Sequence, residues 1–242
     1  MAIEDRRATV IDGVRVHYLD TDPSGGAPGV PLLYVHGAIG TAEDFLPHIE
    51  RHAPRRCLAL SMRGMGKSDT PATGYGFVDK VADIEAVFAA ASLESAVLFG
   101  FSAGVPCVIE FAIRHPGLVR GLLLGDYAPR YLPLGDHWLA ATSGIPEERA
   151  RTAARVAMSR QSADVDLSPR LGEIHCPTLV IRGGGHGGML SEEAAERYEQ
   201  LVPGCFLVEL PRAGHVLWEP DINRFIFCVE DFLKDVDQGV GL

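Results

Sequence analysis

Basic charge is scarce in this 242-residue chain: 22 lysines and arginines stand against 32 acidic residues, a net charge of −10 with the nine histidines counted neutral. A chain of that sign has no general electrostatic footprint for nucleic acid or an anionic membrane. Long apolar runs are missing too: nowhere do 18 apolar residues follow one another, so no membrane span is expected. The opening MAIEDRRATV mixes acids and bases without an apolar segment, and no signal peptide is expected. Cysteines number five, at 57, 107, 176, 205 and 228, with no CxxC spacing. An odd, scattered set excludes a disulfide framework and points to reduced, mostly core thiols in a cytoplasmic protein. Nothing in the residue spacing suggests a metal site or a cofactor. One further absence is local: from Val180 to Leu190 the chain reads VIRGGGHGGML, with no carboxylate before Glu192.

What is present is a chain 47% hydrophobic and 22% charged, ordinary for one globular domain with a sizeable core. Strand and helix patterns alternate. ATVIDGVRVHYLD reads as a hairpin turning at Asp12-Gly13. VPLLYVHG, RCLALSM, SAVLFGF, VRGLLLGD, CPTLVIRG and CFLVELP read as buried strands. TAEDFLPHIERHA, FVDKVADIEAVFAAASL, AGVPCVIEFAIRHP and SEEAAERYEQLVP read as helices, the last with Ser191 as N-cap. EPDINRFIFCVEDFLKDV reads as a final helix with Pro220 in its first turn. Short apolar runs separated by helices imply a parallel sheet covered on both faces. Residues 127–174 break the rhythm, with Pro129, Pro133, Pro146, Pro169 and a single clear helical segment, PEERARTAARVAMSRQ. They read as an insertion over the sheet.

Three stretches carry chemistry. In LFGFSAGVP a buried strand runs into Gly100-Phe101-Ser102-Ala103-Gly104 and a helix follows, the context a G-x-S-x-G nucleophile requires. The sharp turn projects the Ser102 hydroxyl above the sheet, and the two glycines allow close approach. The Ala103 N–H sits at a helix N-terminus, where donors are unpaired and the dipole favours negative charge. In YVHGAIG a strand ends at His36-Gly37, and the Ala38 N–H is the second candidate donor of an oxyanion hole. His36 itself reads as a structural turn residue. In LPRAGHVLWEP, His215 follows the last strand in a loop, where a general base for Ser102 is needed.

Taken in order, HGAIG, SMRGMGKSD, GFSAG and AGHVLWEP resemble the α/β-hydrolase superfamily over nearly the whole chain. The resemblance implies a mostly parallel eight-stranded sheet flanked by helices, with residues 1–126 and 175–242 as the core and 127–174 as a short cap inserted after the sixth strand. Ser61 stands where the family's D-x-R-G-x-G-x-S-D loop usually begins with Asp; that loop is mostly structural, so the departure leaves the chemistry intact. In many relatives the triad acid follows the seventh strand, in a loop such as R-G-x-x-D. Here Gly185 or His186 occupies that place, and His186 cannot be the anion that orients His215. Asp126, ending the sixth strand in GLLLGDYAPR, is the replacement. The arrangement resembles superfamily branches, certain small esterases among them, that take their acid from there, and Ser102…Asp126…His215 keeps the family order. Two other readings stand beside it: an Asp126 that only caps the inserted segment, and a triad without an acid. Glu192 and Glu193 read as first-turn helix residues. An acid returned to position 185 or 186 is expected to face the same histidine.

The expected chemistry is acyl transfer to water: a small carboxylic ester or lactone, an acyl-enzyme on Ser102, His215 and Asp126 as partners, and Ala38 and Ala103 N–H groups for the oxyanion. Phe101, Tyr127, Trp218 and His186 are the expected pocket lining. The alternatives are carbon–carbon hydrolysis of diketone-like substrates and a non-catalytic hydrolase-like sensor of a small ligand.

Overall fold

The computed structural model describes residues 2–22 and 24–239. β1 (Glu4–Thr9) and β2 (Arg15–Asp20) pair antiparallel across the expected turn. There Gly13 takes φ +85° and Asp12 Oδ1 accepts the Val14 N–H at 3.1 Å. The apolar runs that follow become β3 (Leu32–Val35), β4 (Cys57–Ser61), β5 (Ala96–Phe101) and β6 (Val119–Gly125). Two short strands, β7 (Arg130–Tyr131) and β8 (Val165–Asp166), pair only with each other. β9 (Thr178–Gly183) and β10 (Cys205–Leu210) complete the main sheet, ordered β1-β2-β4-β3-β5-β6-β9-β10. It is antiparallel at β1/β2 and β2/β4 and parallel elsewhere.

A parallel sheet needs helices on both faces, and the strand residues sort accordingly. In β3, Leu33 and Val35 join the core beneath α2 (Phe77–Ala90) and α3 (Gly104–Arg114), while Leu32 and Tyr34 face the opposite core. That second core is closed by the helical turns over 42–52, which include α1 (Leu46–Ile49), and by the C-terminal α7 (Ile222–Gln238). Every residue of β3 and β4 is fully buried. Each such Leu or Val side chain contributes about 1.5–3 kcal/mol of burial.

Residues 127–174 differ from the sequence reading. Two helices form there, α4 (Gly135–Ala141) and α5 (Thr152–Gln161), as well as the β7–β8 ribbon and a 3₁₀ turn over Ser168–Glu173. The expected helix from Pro146 starts only at Thr152, because 146–151 are spent on a turn that docks on the core. The Gly66 N–H donates to Arg149 O at 2.8 Å, and Ala150 bridges Met65. A small apolar cluster of Met65, Tyr75, Ala150, Ala154 and Met158 seals that contact. α4 escaped detection because seven residues give too few turns for a periodicity to register.

α6 (Glu192–Leu201) begins as expected, with Ser191 Oγ accepting the Ala194 N–H at 3.2 Å. α7 does not. Asp221 caps it by accepting the Asn223 and Arg224 N–H groups at 3.1 and 3.2 Å, which leaves Pro220 outside the first turn. Folding also gathers Asp5, His17 and Glu43, a group no sequence spacing displays. Lys67 pairs with Asp5 and, at 3.3 Å, with Glu43, so an ammonium already bridges the two acids and offsets one of their two charges.

Candidate active site

β5 delivers Ser102 at its C-terminal end in a left-handed conformation, φ +53°, held by the Ser102 N–H donating to Gly125 O at 3.0 Å. The flanking glycines are a steric necessity. A Cβ on Gly100 would lie 2.6 Å from Val108 Cγ2, and one on Gly104 would lie 2.6 Å from His36 O. Tight packing of strand, helix and β3 end thus holds a conformation that a serine in isolation disfavours.

His215 Nε2 lies 2.9 Å from Ser102 Oγ, and His215 Nδ1 lies 2.9 Å from Asp126 Oδ2. The carboxylate can only accept, so Nδ1 carries the proton and Nε2 is left bare toward the serine hydroxyl. The His215 ring stacks on Phe101, with centroids 4.9 Å apart.

Asp126 is fully buried and also left-handed, φ +47°, a conformation aspartate tolerates. Its carboxylate is satisfied by the bare loop itself. Oδ1 accepts the Gly183 and Leu190 N–H groups at 3.0 and 3.2 Å, and Oδ2 accepts the Met189 N–H at 2.8 Å. The glycines follow from this geometry. A Cβ on Gly183 would sit 2.1 Å from Gly214 O, one on Gly185 2.9 Å from Ala213 O, and one on Gly214 2.6 Å from His186 O. The loop lies backbone against backbone on the two residues preceding His215. Side chains are excluded because main chain cradles both the acid and the approach to the histidine.

Gly37 adjoins Ser102 closely enough that a Cβ there would be 2.9 Å from Ser102 Cβ. Ala38 and Ala103 both line the cavity above Ser102, and among the described residues neither N–H donates to another group. His36 is spent on structure: its Nε2 accepts the Met62 N–H at 3.0 Å and its Nδ1 faces Gly37 O. Burial pushes its pKa down to about 4. Ser61, in the usual Asp position, accepts the Ala42 N–H at 2.9 Å, while the buried Arg63 pairs with Asp83 and Asp12.

The cavity holds about 520 Å³. Ser102, His215, Phe101, Tyr127 and Trp218 line it as expected, and Asp126 lies behind His215. His186 does not line it. It is exposed at the outer bend of the loop, because the N–H groups bound to Asp126 turn the following residues inward and bring Met189 to the wall instead. Sequence reading also passed over Phe45, Leu134 and Trp138. The last two are an i, i+4 apolar pair straddling the start of α4, the one signal that could have found them. The charged lining side chains are Asp44 and Arg149. They pair two-pronged at 2.6 and 2.8 Å, and Arg149 Nε also donates to Ile39 O at 3.1 Å, strapping the Gly37–Gly40 loop to the inserted segment.

A family model described as alpha/beta hydrolase fold matches residues 30–152. The chain is 25% identical over 246 residues to a 2-(acetamidomethylene)succinate hydrolase from Mesorhizobium japonicum, covering 85% of this chain and 88% of that one. It is 29% identical to a proline iminopeptidase from Neisseria gonorrhoeae, over 61% of this chain and 49% of that relative, about half its length. Among solved structures, an esterase from Rhodococcus sp. ECU1013 superposes with a TM-score of 0.80 at 23% identity, covering 96% of this chain and 99% of the other.

Proposed function

The chain belongs to the α/β-hydrolase fold family, and from that premise we propose that it is a serine hydrolase of neutral carboxylic esters or lactones, working through an acyl-enzyme on Ser102. The observation that carries the reading is the unbroken relay of 2.9 Å contacts from Ser102 through His215 to Asp126. In this reading Ser102 Oγ attacks the ester carbonyl as its proton passes to His215 Nε2. Asp126 holds the tautomer and offsets the imidazolium charge. The tetrahedral oxyanion faces the N–H groups of Ala38 and Ala103, the latter at the N-terminus of α3, where the helix dipole adds to the field. Collapse expels the alkoxide, which takes the proton from His215. Water then repeats the sequence to release the acid and restore Ser102.

A cavity of about 520 Å³ suits a small to medium substrate. Its Asp44–Arg149 pair is internally neutralised and the rest of its wall is largely apolar, which favours an uncharged ester. Residues 127–174 serve as the cap in this reading, and residues 1–126 and 175–242 as the hydrolase core. The five cysteines are all free, in keeping with a cytoplasmic setting.

The test is labelling by a fluorophosphonate, mapped by peptide mass spectrometry, alongside turnover of linear esters, lactones and diketones. Labelling at Ser102 with ester or lactone turnover is expected, and Ser102→Ala should lose the label and at least about 10³-fold of the rate. A fully active Ser102→Ala protein refutes the reading. Labelling without turnover of any panel member points to a sensor, and preference for the diketones points to carbon–carbon hydrolysis.

A further inference from the structure

Asp126 and the loop it binds also shape the pocket. The carboxylate takes its N–H donors from both ends of the stretch Gly183–Leu190, so the chain is pinned at Gly183, Met189 and Leu190. Leu190 is buried in the core, whereas the Met189 side chain, next to it, is 55% exposed and lines the cavity. Its backbone N–H shares Asp126 Oδ2 with His215 Nδ1, so the thioether stands on the same carboxylate that holds the base. A rigid anchor thus carries a flexible, polarizable, half-uncovered side chain at the edge of the site. Tyr127, Leu134 and Trp138 line the same cavity.

We propose that Met189 is a specificity-determining residue, a movable wall that selects esters whose larger apolar group, a medium alkyl chain or an aryl ring, covers its thioether. The proposal rests on the serine-hydrolase reading of the site. An apolar group reaching Met189 buries surface that water otherwise covers on both partners, and an unbranched thioether adapts to alkyl or aryl shape. Short acyl or alkoxy groups leave Met189 in solvent and draw nothing from it.

Burial also makes Met189 chemically separable. Met62, Met65 and Met158 are at most 1% exposed, so among the described methionines peroxide reaches Met189 first. Peroxide transfers one oxygen atom to the sulfur and leaves as water, turning the apolar wall into a polar sulfoxide.

The experiment uses p-nitrophenyl esters from acetate to octanoate and acetate esters of ethanol to octanol. Met189→Ala is expected to lower kcat/KM for the longest member relative to the shortest by about fivefold or more in one series, mainly through KM, as the loss of one or two buried methylenes would. Met189→Leu should stay within about twofold of wild type by the same measure. Peroxide should reproduce the loss in wild type and leave Met189→Leu unaffected. An unchanged chain-length ratio in both series overturns the proposal. A second measurement does not depend on turnover. In the Ser102→Ala protein, saturating p-nitrophenyl octanoate should slow sulfoxide formation at Met189, read by mass spectrometry, by about threefold or more, as expected for a covered thioether. Equal rates overturn the proposal whatever the activity. Failure of the serine-hydrolase reading appears separately, as absence of fluorophosphonate labelling at Ser102 in wild type.

Discussion

Replacing Asp126 by asparagine tests the site most sharply, because every contact of the carboxylate is with a donor. Oδ1 faces the Gly183 and Leu190 N–H groups at 3.0 and 3.2 Å, and Oδ2 faces the Met189 N–H at 2.8 Å and His215 Nδ1 at 2.9 Å. An asparagine must put its NH₂ on one side or the other. Toward His215, the NH₂ meets the Met189 N–H and forces the imidazole to present a bare Nδ1, so that Nε2 carries the proton and cannot take one from Ser102. Toward the loop, the NH₂ opposes two backbone donors and undoes the cradle. Backbone strain does not enter, since asparagine accepts the φ of +47° as readily as aspartate. The first arrangement removes the base, and loss of about 10⁴-fold in turnover is expected, equivalent to about 5 kcal/mol of transition-state stabilisation. Either arrangement sets buried donors against one another and should lower stability by about 2–4 kcal/mol. Purified wild type, Asp126→Asn and His186→Ala would be compared by ester hydrolysis, fluorophosphonate labelling rate and urea unfolding. His186, being exposed and outside the cavity, should cost less than about tenfold, since no triad member is lost. Near-normal turnover in a folded Asp126→Asn protein, beside a crippled His186→Ala, would refute the assignment of the acid.

Returning an acid to the loop should fail. In an Asp126→Asn background, Gly185→Asp would place a Cβ 2.9 Å from Ala213 O, so rescue beyond about threefold, contrary to the expectation from sequence, would show that the loop can re-form around a new side chain. Two glycines of the same loop should behave oppositely. Gly183→Ala drives a Cβ to 2.1 Å from Gly214 O and should cost at least about tenfold in kcat, because the main chain before His215 must move. Gly187→Ala meets nothing within 4 Å and should cost only about 1–2 kcal/mol of stability for its positive φ, with turnover kept; equal losses of turnover in the two variants would refute the cradle. Acid should unfold the protein through its buried histidines. Burial lowers the pKa of His36 to about 4 and of His48 to about 3, while the unfolded chain titrates near 6.5. Above that value both states are neutral and nothing is lost. As pH falls through 6.5 the unfolded chain binds protons that the folded one refuses, and each histidine removes about 3 kcal/mol by pH 4. His48→Phe should lose correspondingly less stability between pH 7 and 4.5 in urea titrations, and an unchanged loss would sink the attribution.

Local residue order determined most of the frame. Apolar runs too continuous for a one-sided sheet implied a parallel sheet with two covered faces. The Gly100–Gly104 spacing implied the sharp turn at Ser102. Those features rest on interactions within a few residues, so they can be read without knowing the fold. The inserted segment was legible only as an interruption, because its structure depends on docking: residues 146–151 leave the helix to bridge Met65 and Gly66. The extent of α7 was misread for a related reason, since the side chain of Asp221 decides its start and Pro220 only precedes it. The bare loop was the hardest to read. Its sequence showed a missing acid and nothing of its purpose, because the purpose is to supply backbone N–H groups, which every residue but proline possesses. Only the tertiary structure decided that those donors converge on Asp126, that their convergence excludes side chains from Gly183 and Gly185, and that Met189 rather than His186 turns toward the cavity.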